Sequence, residues 1–273
     1  MAIGLGLIVF LLVTRAYRCR MDLRGTGMLW WFAISAVIGI YALFFWYLYY
    51  MPKKARLFIN ARQKEILHEE LPLLAVDGFL SNKEIQRFME IGASRLAPSR
   101  VVSARETGKV PYRTSQSAHF FFPLNYHPLF YRVRCRAAAL ARLPASHVES
   151  LQICRYREGE SFGLHFDYFQ GRASVPQAAG QRVATILVYL SDAPDGGGQT
   201  VFPQLDFTVL PFKGMAVYWP NLLEDGTPNY KTLHEGRPVK GGRDKWIMNI
   251  WIREKPLLPH FLVHYVLRAL RLR

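Results

Sequence analysis

Leu151-Gln152-Ile153-Cys154-Arg155-Tyr156, followed by His165-Phe166-Asp167 and much later by His234 and Lys245-Trp246, is the part of the chain from which the rest is read. In an extended strand, residues two apart point to the same side, so His165 and Asp167 share a face while Phe166 turns away. A His-x-Asp pair with one distal His is a two-histidine, one-carboxylate donor set. Three such ligands on one side of a ferrous ion leave its other positions open. Imidazole suits Fe(II), and one carboxylate offsets part of its charge. A bare His-x-Asp arises by chance in many chains, so its weight comes from the segments around it.

Those segments are Gly196-Gly197-Gly198-Gln199-Thr200-Val201-Phe202-Pro203 and His234-Glu235-Gly236-Arg237-Pro238-Val239, the latter running on to Arg243-Asp244-Lys245-Trp246. With Leu-Gln-x-x-x-Tyr and His-x-Asp before them, they stand in the order found in the prolyl 4-hydroxylase family of Fe(II)/2-oxoglutarate dioxygenases, which the chain resembles over roughly residues 72–253. The resemblance implies that His165, Asp167 and His234 bind iron. It implies that Lys245 pairs with the distal carboxylate of 2-oxoglutarate, with Tyr156 and Thr200 offering hydroxyls to the same group. A dianion in a desolvated pocket needs a fixed cation, and a charge-assisted bond there is worth about 1.5–3 kcal/mol. Arg243 is the competing cation. On the substrate side the resemblance points to Arg113, Ser115, Glu149, Arg182 and Trp251. It also implies O2 as co-reactant, ascorbate as reductant, a proline-containing polypeptide as substrate and, in a eukaryote, a catalytic domain in the lumen of the endoplasmic reticulum.

Two positions depart from the family pattern. Many members carry Tyr three residues before the first ligand His, where this chain has Phe162; and the position two after the later Trp, often His, is Arg253. Both lie outside the metal set and bear on the substrate side. His68, His119, His127, His147, His260 and His264 are read as ordinary core or surface residues.

Residues 28–51 carry no charge. As a helix, 24 residues span about 36 Å, enough for a hydrocarbon core of about 30 Å. Aromatic residues gather at both ends (Trp30 and Trp31; Trp46, Tyr47, Tyr49 and Tyr50), as interfacial belts do. The expected organisation is a membrane anchor over 1–56 with its main span at 28–51, a basic linker over 57–71, the dioxygenase domain over 72–253 and a basic amphipathic tail over 254–273. Residues 1–14 are apolar but lack the marks of a cleavable signal peptide and are read as a second short span, a re-entrant segment or sequence upstream of the true start. Arginines precede the main span and Lys53, Lys54 and Arg56 follow it, so charge gives no orientation.

The formal charge of +15 is unevenly placed. Residues 1–64 hold +8, residues 253–273 hold +4, and the region between holds only +3. Basicity beside an apolar segment suits anionic headgroups rather than nucleic acid. In the tail, His260, His264, Arg268 and Arg271 fall on one helical stripe, which fits a helix on the bilayer or one packed on the core.

Ser81-Asn82-Lys83-Glu84 reads as a capping box opening a helix, and a second helix is expected over 128–142. Beyond 150 the chain becomes a series of short β-rich runs: 151–157, 163–168, 183–191, 200–202, 206–210, 215–219 and 246–252. The expected fold is α+β, a double-stranded β-helix (jelly roll) core backed by helices, with an N-terminal transmembrane helix. Three cysteines are too few for a disulfide framework, and Cys135 and Cys154 are expected as free buried thiols. The leading functional expectation is a membrane-anchored enzyme that hydroxylates peptidyl proline. The alternatives are the same chemistry on another residue, small molecule or base, a binding module without turnover, or a membrane scaffold.

Overall fold

The computed structural model describes residues 27–99, 113–121, 127–171, 178–192 and 197–257. The apolar segment 1–14, the greater part of the tail and the loop ahead of Gly197 lie outside them. The chain divides into two units at Tyr50/Met51.

Helix α1 is Gly27–Asn60. In the first unit its described side chains are largely exposed and apolar, among them Val37, Ile40, Leu43 and Tyr49, and Trp46 stacks on Tyr50 at 4.9 Å. By length and composition this helix could cross a membrane, as an anchor or a signal segment would.

In the second unit, from Met51 onward, α1 ends with Ala55 and Ile59 buried. Next come β1 (Lys64–His68), β2 (Leu73–Val76), helix α2 (Asn82–Ala93), β3 (Ala97–Pro98), β4 (Gln116–His119) and helix α3 (Pro128–Leu140). The remaining strands are β5 (Gln152–Tyr156), β6 (Phe162–His165), β7 (Arg182–Tyr189), β8 (Thr200–Phe202), β9 (Phe207–Val209), β10 (Ala216–Pro220), β11 (His234–Gly236) and β12 (Lys245–Arg253). Among the described residues they form two antiparallel sheets, ordered β1-β2-β10-β7-β12-β5-β4-β3 and β6-β11-β8-β9. The architecture is the α+β, two-sheet arrangement typical of a double-stranded β-helix.

The central strands are apolar almost without interruption because both faces of the large sheet are covered. One row, Ala184, Ile186 and Val188 of β7 with Met248, Ile250 and Ile252 of β12, packs with Ile85 and Phe88 of α2 and Phe130 and Val133 of α3. The other row, Leu187 and Tyr189 with Ile247, Cys154 and Tyr156, faces Phe202 and Val209 of the small sheet. The helices start where the sequence says. Ser81 Oγ accepts from the Glu84 amide at 3.3 Å while Glu84 Oε2 accepts from the Ser81 amide at 3.0 Å, a complete capping box. Helix α3 has Pro128 in its first turn and His127 as its cap.

Three expectations change. The strand expected at 163–168 ends at His165, because β11 begins at His234 directly opposite and offers no partner beyond it, so Asp167 lies just past the strand. Segment 57–71, expected as a linker, closes α1 and supplies β1, whose Lys64–Ile66 pair with Leu74–Val76. After Arg253 the backbone continues to bond, Glu254 to Gln181, Lys255 to Ala179 and Leu257 to Ser146. These residues are therefore tied to the second unit. Cys135 and Cys154 are free and buried.

The glycine-rich motif and the segment after His234 are locked together. The Gly198 amide donates to Pro238 O at 3.0 Å, and the Arg237 amide to Gln199 O at 2.9 Å. A Cβ on Gly197 would stand 2.7 Å from Pro238 O, inside contact distance. Gly197→Ala is expected to destabilise the domain by about 1–3 kcal/mol through overpacking, read as a lower denaturation midpoint at unchanged slope.

Candidate functional site

His165 closes β6 and His234 opens β11, and the two are register partners. Their rings lie 4.2 Å apart. Each Nδ1 sits 2.8 Å from the carbonyl oxygen two residues upstream, Gly163 for His165 and Thr232 for His234. A carbonyl only accepts, so each Nδ1 donates its N–H, which leaves Nε2 as the nitrogen a metal can take. Both Nε2 atoms face Asp167, at 3.9 Å from His165 to Oδ1 and 3.7 Å from His234 to Oδ2. The three ligand atoms all lie within 4.8 Å of one another.

The electrostatics keep these donors in ligating form. Burial, reinforced by neighbouring His234, pushes His165 down to about 3, so its imidazole is neutral at physiological pH. Burial alone would raise the Asp167 carboxyl. His234, His165, Arg182 and a Thr185 hydrogen bond outweigh it and hold the group below its ordinary range. Thr185 Oγ1 donates to Asp167 Oδ2 at 2.8 Å and accepts from Asn221 Nδ2 at 3.0 Å. Phe162 stacks on His165 at 3.6 Å and Phe202 on His234 at 5.6 Å. Two imidazoles and one oriented carboxylate, each fixed by an outer partner, fit a ferrous ion.

Lys245 opposes Tyr156 across β12 and β5. It is 3% exposed, and its Nζ lies 5.5 Å and 5.9 Å from the Tyr156 and Tyr189 ring centres. Burial pulls its pKa down to about 8, only partly opposed by Cys154. No carboxylate pairs with it among the described residues, whereas Arg243 is exposed. Gly236 keeps space beside the ammonium, since a Cβ there would stand 3.8 Å from Nζ. Thr200 is buried, pairs across the ladder with Gly236, and accepts from Tyr189 Oη at 2.8 Å. Burial raises the Tyr156 phenol to about 12 against the opposing influence of Arg113. A buried cation over two tyrosine rings, with no carboxylate partner among the described residues, fits a dicarboxylate such as 2-oxoglutarate.

The residues expected on the substrate side form two groups. Arg113 is buried over the Phe162 ring and donates to Ser115, Gln152 and Cys154 at 3.2–3.3 Å. Ser115 bonds to Ser99 at 2.9 Å. Glu149 is gripped by both arms of Arg182 at 2.9 and 3.0 Å and by Arg253 at 3.0 Å. Arg182 also stacks over Trp251 at 3.7 Å and reaches Asp167 O at 3.5 Å. Arg253, at the position where the family often has His, is thus built into an ion-pair cluster beside the metal carboxylate.

Sequence reading missed Thr185, Asn221 and Tyr189. The signal was present for two of them: Thr185 and Tyr189 share the parity of Leu187 in β7, the inward row. Nothing local marks Asn221. Of the other histidines in the described region, His119 contacts Gln152, His127 caps α3, His147 contacts Arg253 O and His68 meets Phe207 edge-on.

A family model described as the 2OG-Fe(II) oxygenase superfamily matches residues 151–253, the stretch that supplies both histidines, Asp167 and Lys245. This region is a 2OG-Fe(II) oxygenase domain. In sequence the oxygenase is prolyl 4-hydroxylase-like. It is 38% identical over 184 residues to prolyl 4-hydroxylase subunit alpha-1 of Gallus gallus, covering 64% of this chain and 34% of that one. To subunit alpha-3 of Mus musculus it is 35% identical over 203 residues, covering 72% and 36%. The chain therefore spans about a third of the length of these relatives. Among solved structures, a viral collagen prolyl hydroxylase from Paramecium Bursaria Chlorella virus-1, in its 2OG complex, superposes with a TM-score of 0.53 at 26% identity, covering 66% of this chain and 95% of that one.

Because Thr185 aims the Asp167 carboxylate, Thr185→Val is expected to weaken Fe(II) affinity about 10–100-fold while the fold persists, as measured by metal titration under anaerobic conditions.

Proposed function

We propose that this chain is a membrane-anchored Fe(II)- and 2-oxoglutarate-dependent prolyl 4-hydroxylase acting on proline-containing polypeptides. One observation carries the reading: a two-histidine, one-aspartate donor set and an ammonium with no carboxylate partner among the described residues lie on the same inner side of the two sheets. Tyr156 and Tyr189 beside Lys245, and Phe202 and Trp219 beside His234, all belong to the one inward-facing cluster.

In this reading His165, Asp167 and His234 hold the iron, while Lys245, Tyr156 and Thr200 hold the distal carboxylate of 2-oxoglutarate. When bound, that pair supplies the oxidising chemistry: O2 is consumed, 2-oxoglutarate becomes succinate and CO2, and one oxygen atom enters the substrate. The chain's own residues position and exclude. Phe162, Phe202 and Trp219 wall the histidines with rings. Thr185 and Asn221 keep the Asp167 carboxylate turned inward. The Arg182–Trp251 stack, locked by Glu149 and Arg253, offers a planar cation and an aromatic face for a peptide carbonyl and a proline ring. Arg113 and Ser115 complete the polar wall. Ascorbate serves as the reductant expected of such enzymes. The likeness to relatives named as prolyl and collagen prolyl hydroxylases supports proline as the target, and the apolar helix α1 supports the anchor.

The decisive assay incubates the detergent-solubilised full chain with Fe(II), 2-oxoglutarate, ascorbate and proline-rich peptides, reading succinate release and the gain of one oxygen atom by mass. Both signals are expected, and both fall to background in His165→Ala. Succinate without peptide oxidation would refute the substrate assignment, and failure to bind 2-oxoglutarate would refute the whole reading.

The lysine gives a pH signature. Its ammonium is present below about 8 in the free protein and lost above. Affinity for 2-oxoglutarate is therefore expected to hold at neutral pH and fall toward about tenfold per unit above pH 8, measured by calorimetry. Lys245→Arg should abolish the pH dependence.

A further inference from the structure

On the side of the catalytic unit built from the end of α1 and the starts of α2 and α3, an open pocket of about 460 Å³ is lined by Phe58, Arg62, Ser81, Lys83, Glu84, Arg132 and Arg136. Four of these residues are cations and one is an anion. Arg62 and Arg136 are both held against the single Phe58 ring, at 4.3 and 4.0 Å from its centre. Glu84 answers only part of this. Its Oε2 takes Arg136 at 2.9 Å and the Ser81 amide at 3.0 Å, while Arg132 stands 3.7 Å from Oε1. No carboxylate pairs with Arg62 or Lys83 among the described residues.

We propose that this pocket binds a phosphate monoester group, and that its ligand is the headgroup of an anionic phospholipid. Guanidinium forks match phosphate oxygens, and a dianion would supply the counter-charge that Arg62 and Lys83 lack among the described residues. Location argues for the lipid. The pocket begins at Phe58, which follows Met51 by about 10 Å of helix, and Met51 follows directly on the apolar stretch. Between them Lys53, Lys54 and Arg56 are exposed, an addition that suits an anionic leaflet.

The test uses the full chain in an uncharged detergent. Binding of dihexanoyl phosphatidic acid, dihexanoyl phosphatidylcholine and inorganic phosphate is measured by calorimetry for the natural protein, for Arg62→Gln with Lys83→Gln, and for Lys53→Gln with Lys54→Gln. Saturable phosphatidate binding is expected, weakened at least about tenfold in the pocket pair and retained in the lysine pair, with phosphatidylcholine inert. Inorganic phosphate binding as tightly, with the same loss, would uphold the phosphate site but overturn the lipid assignment. The absence of saturable binding, or a loss shared by both pairs, would overturn the site altogether. Should the pocket pair lower the melting temperature, Arg132→Gln, on an exposed side chain, repeats the comparison. Turnover of 2-oxoglutarate is expected to be unchanged in all variants, so this outcome stands apart from the catalytic reading.

Discussion

A carboxylate is held ionised in a buried site between two imidazoles, and much of the structure serves that arrangement. Asp167 is buried, which on its own favours the neutral acid. It is nonetheless held below its ordinary range by the charge that His234 and His165 can carry, by Arg182 and by the Thr185 hydroxyl, which together outweigh desolvation. The imidazoles in turn hold their orientation because each donates its other nitrogen to a carbonyl of its own strand entry. Pulling any one contact away leaves a buried polar group unmatched, which costs more than the bond itself is worth.

How much could be read beforehand follows from which interactions are local. The capping box at Ser81, the proline-led start of α3 and the apolar runs of β7 and β12 are dictated by neighbouring residues, and the sequence showed them. The strands β1, β2, β3, β4 and β11 went unread: each is short, and β2, β4 and β11 take their conformation from partners far along the chain, while β1 rests on β2 at the sheet edge. The metal trio was legible as a motif, yet the reason first given for it was incomplete. Asp167 is aimed by Thr185 and Asn221 across the sheet rather than by strand alternation, because the pairing stops at His165. Lys245 was distinguished from Arg243 by order in a motif; the structure shows one buried and the other exposed.

The substrate side behaves differently because it is a network of charges. Glu149, Arg182 and Arg253 come from three separate segments, and what each does depends on the other two. Arg253 illustrates this. In sequence it is a departure from a pattern; in space it shares Glu149 with Arg182 and donates to Gly180 O. Single-residue correspondence cannot show such a trade, since the meaning of the position lies in the pair.

The two rows of β12 have a consequence of their own. Lys245, Ile247, Asn249, Trp251 and Arg253 look one way, and Trp246, Met248, Ile250 and Ile252 look the other. A change of side chain in either row is a local event. Loss or gain of a single residue is not, because it exchanges the rows beyond that point and sends the lysine, or the tryptophan and arginine, toward the helices while apolar residues enter the oxygenase cavity. The strand can therefore vary its letters much more freely than its length, and lineages of this domain should drift in spelling here while keeping count.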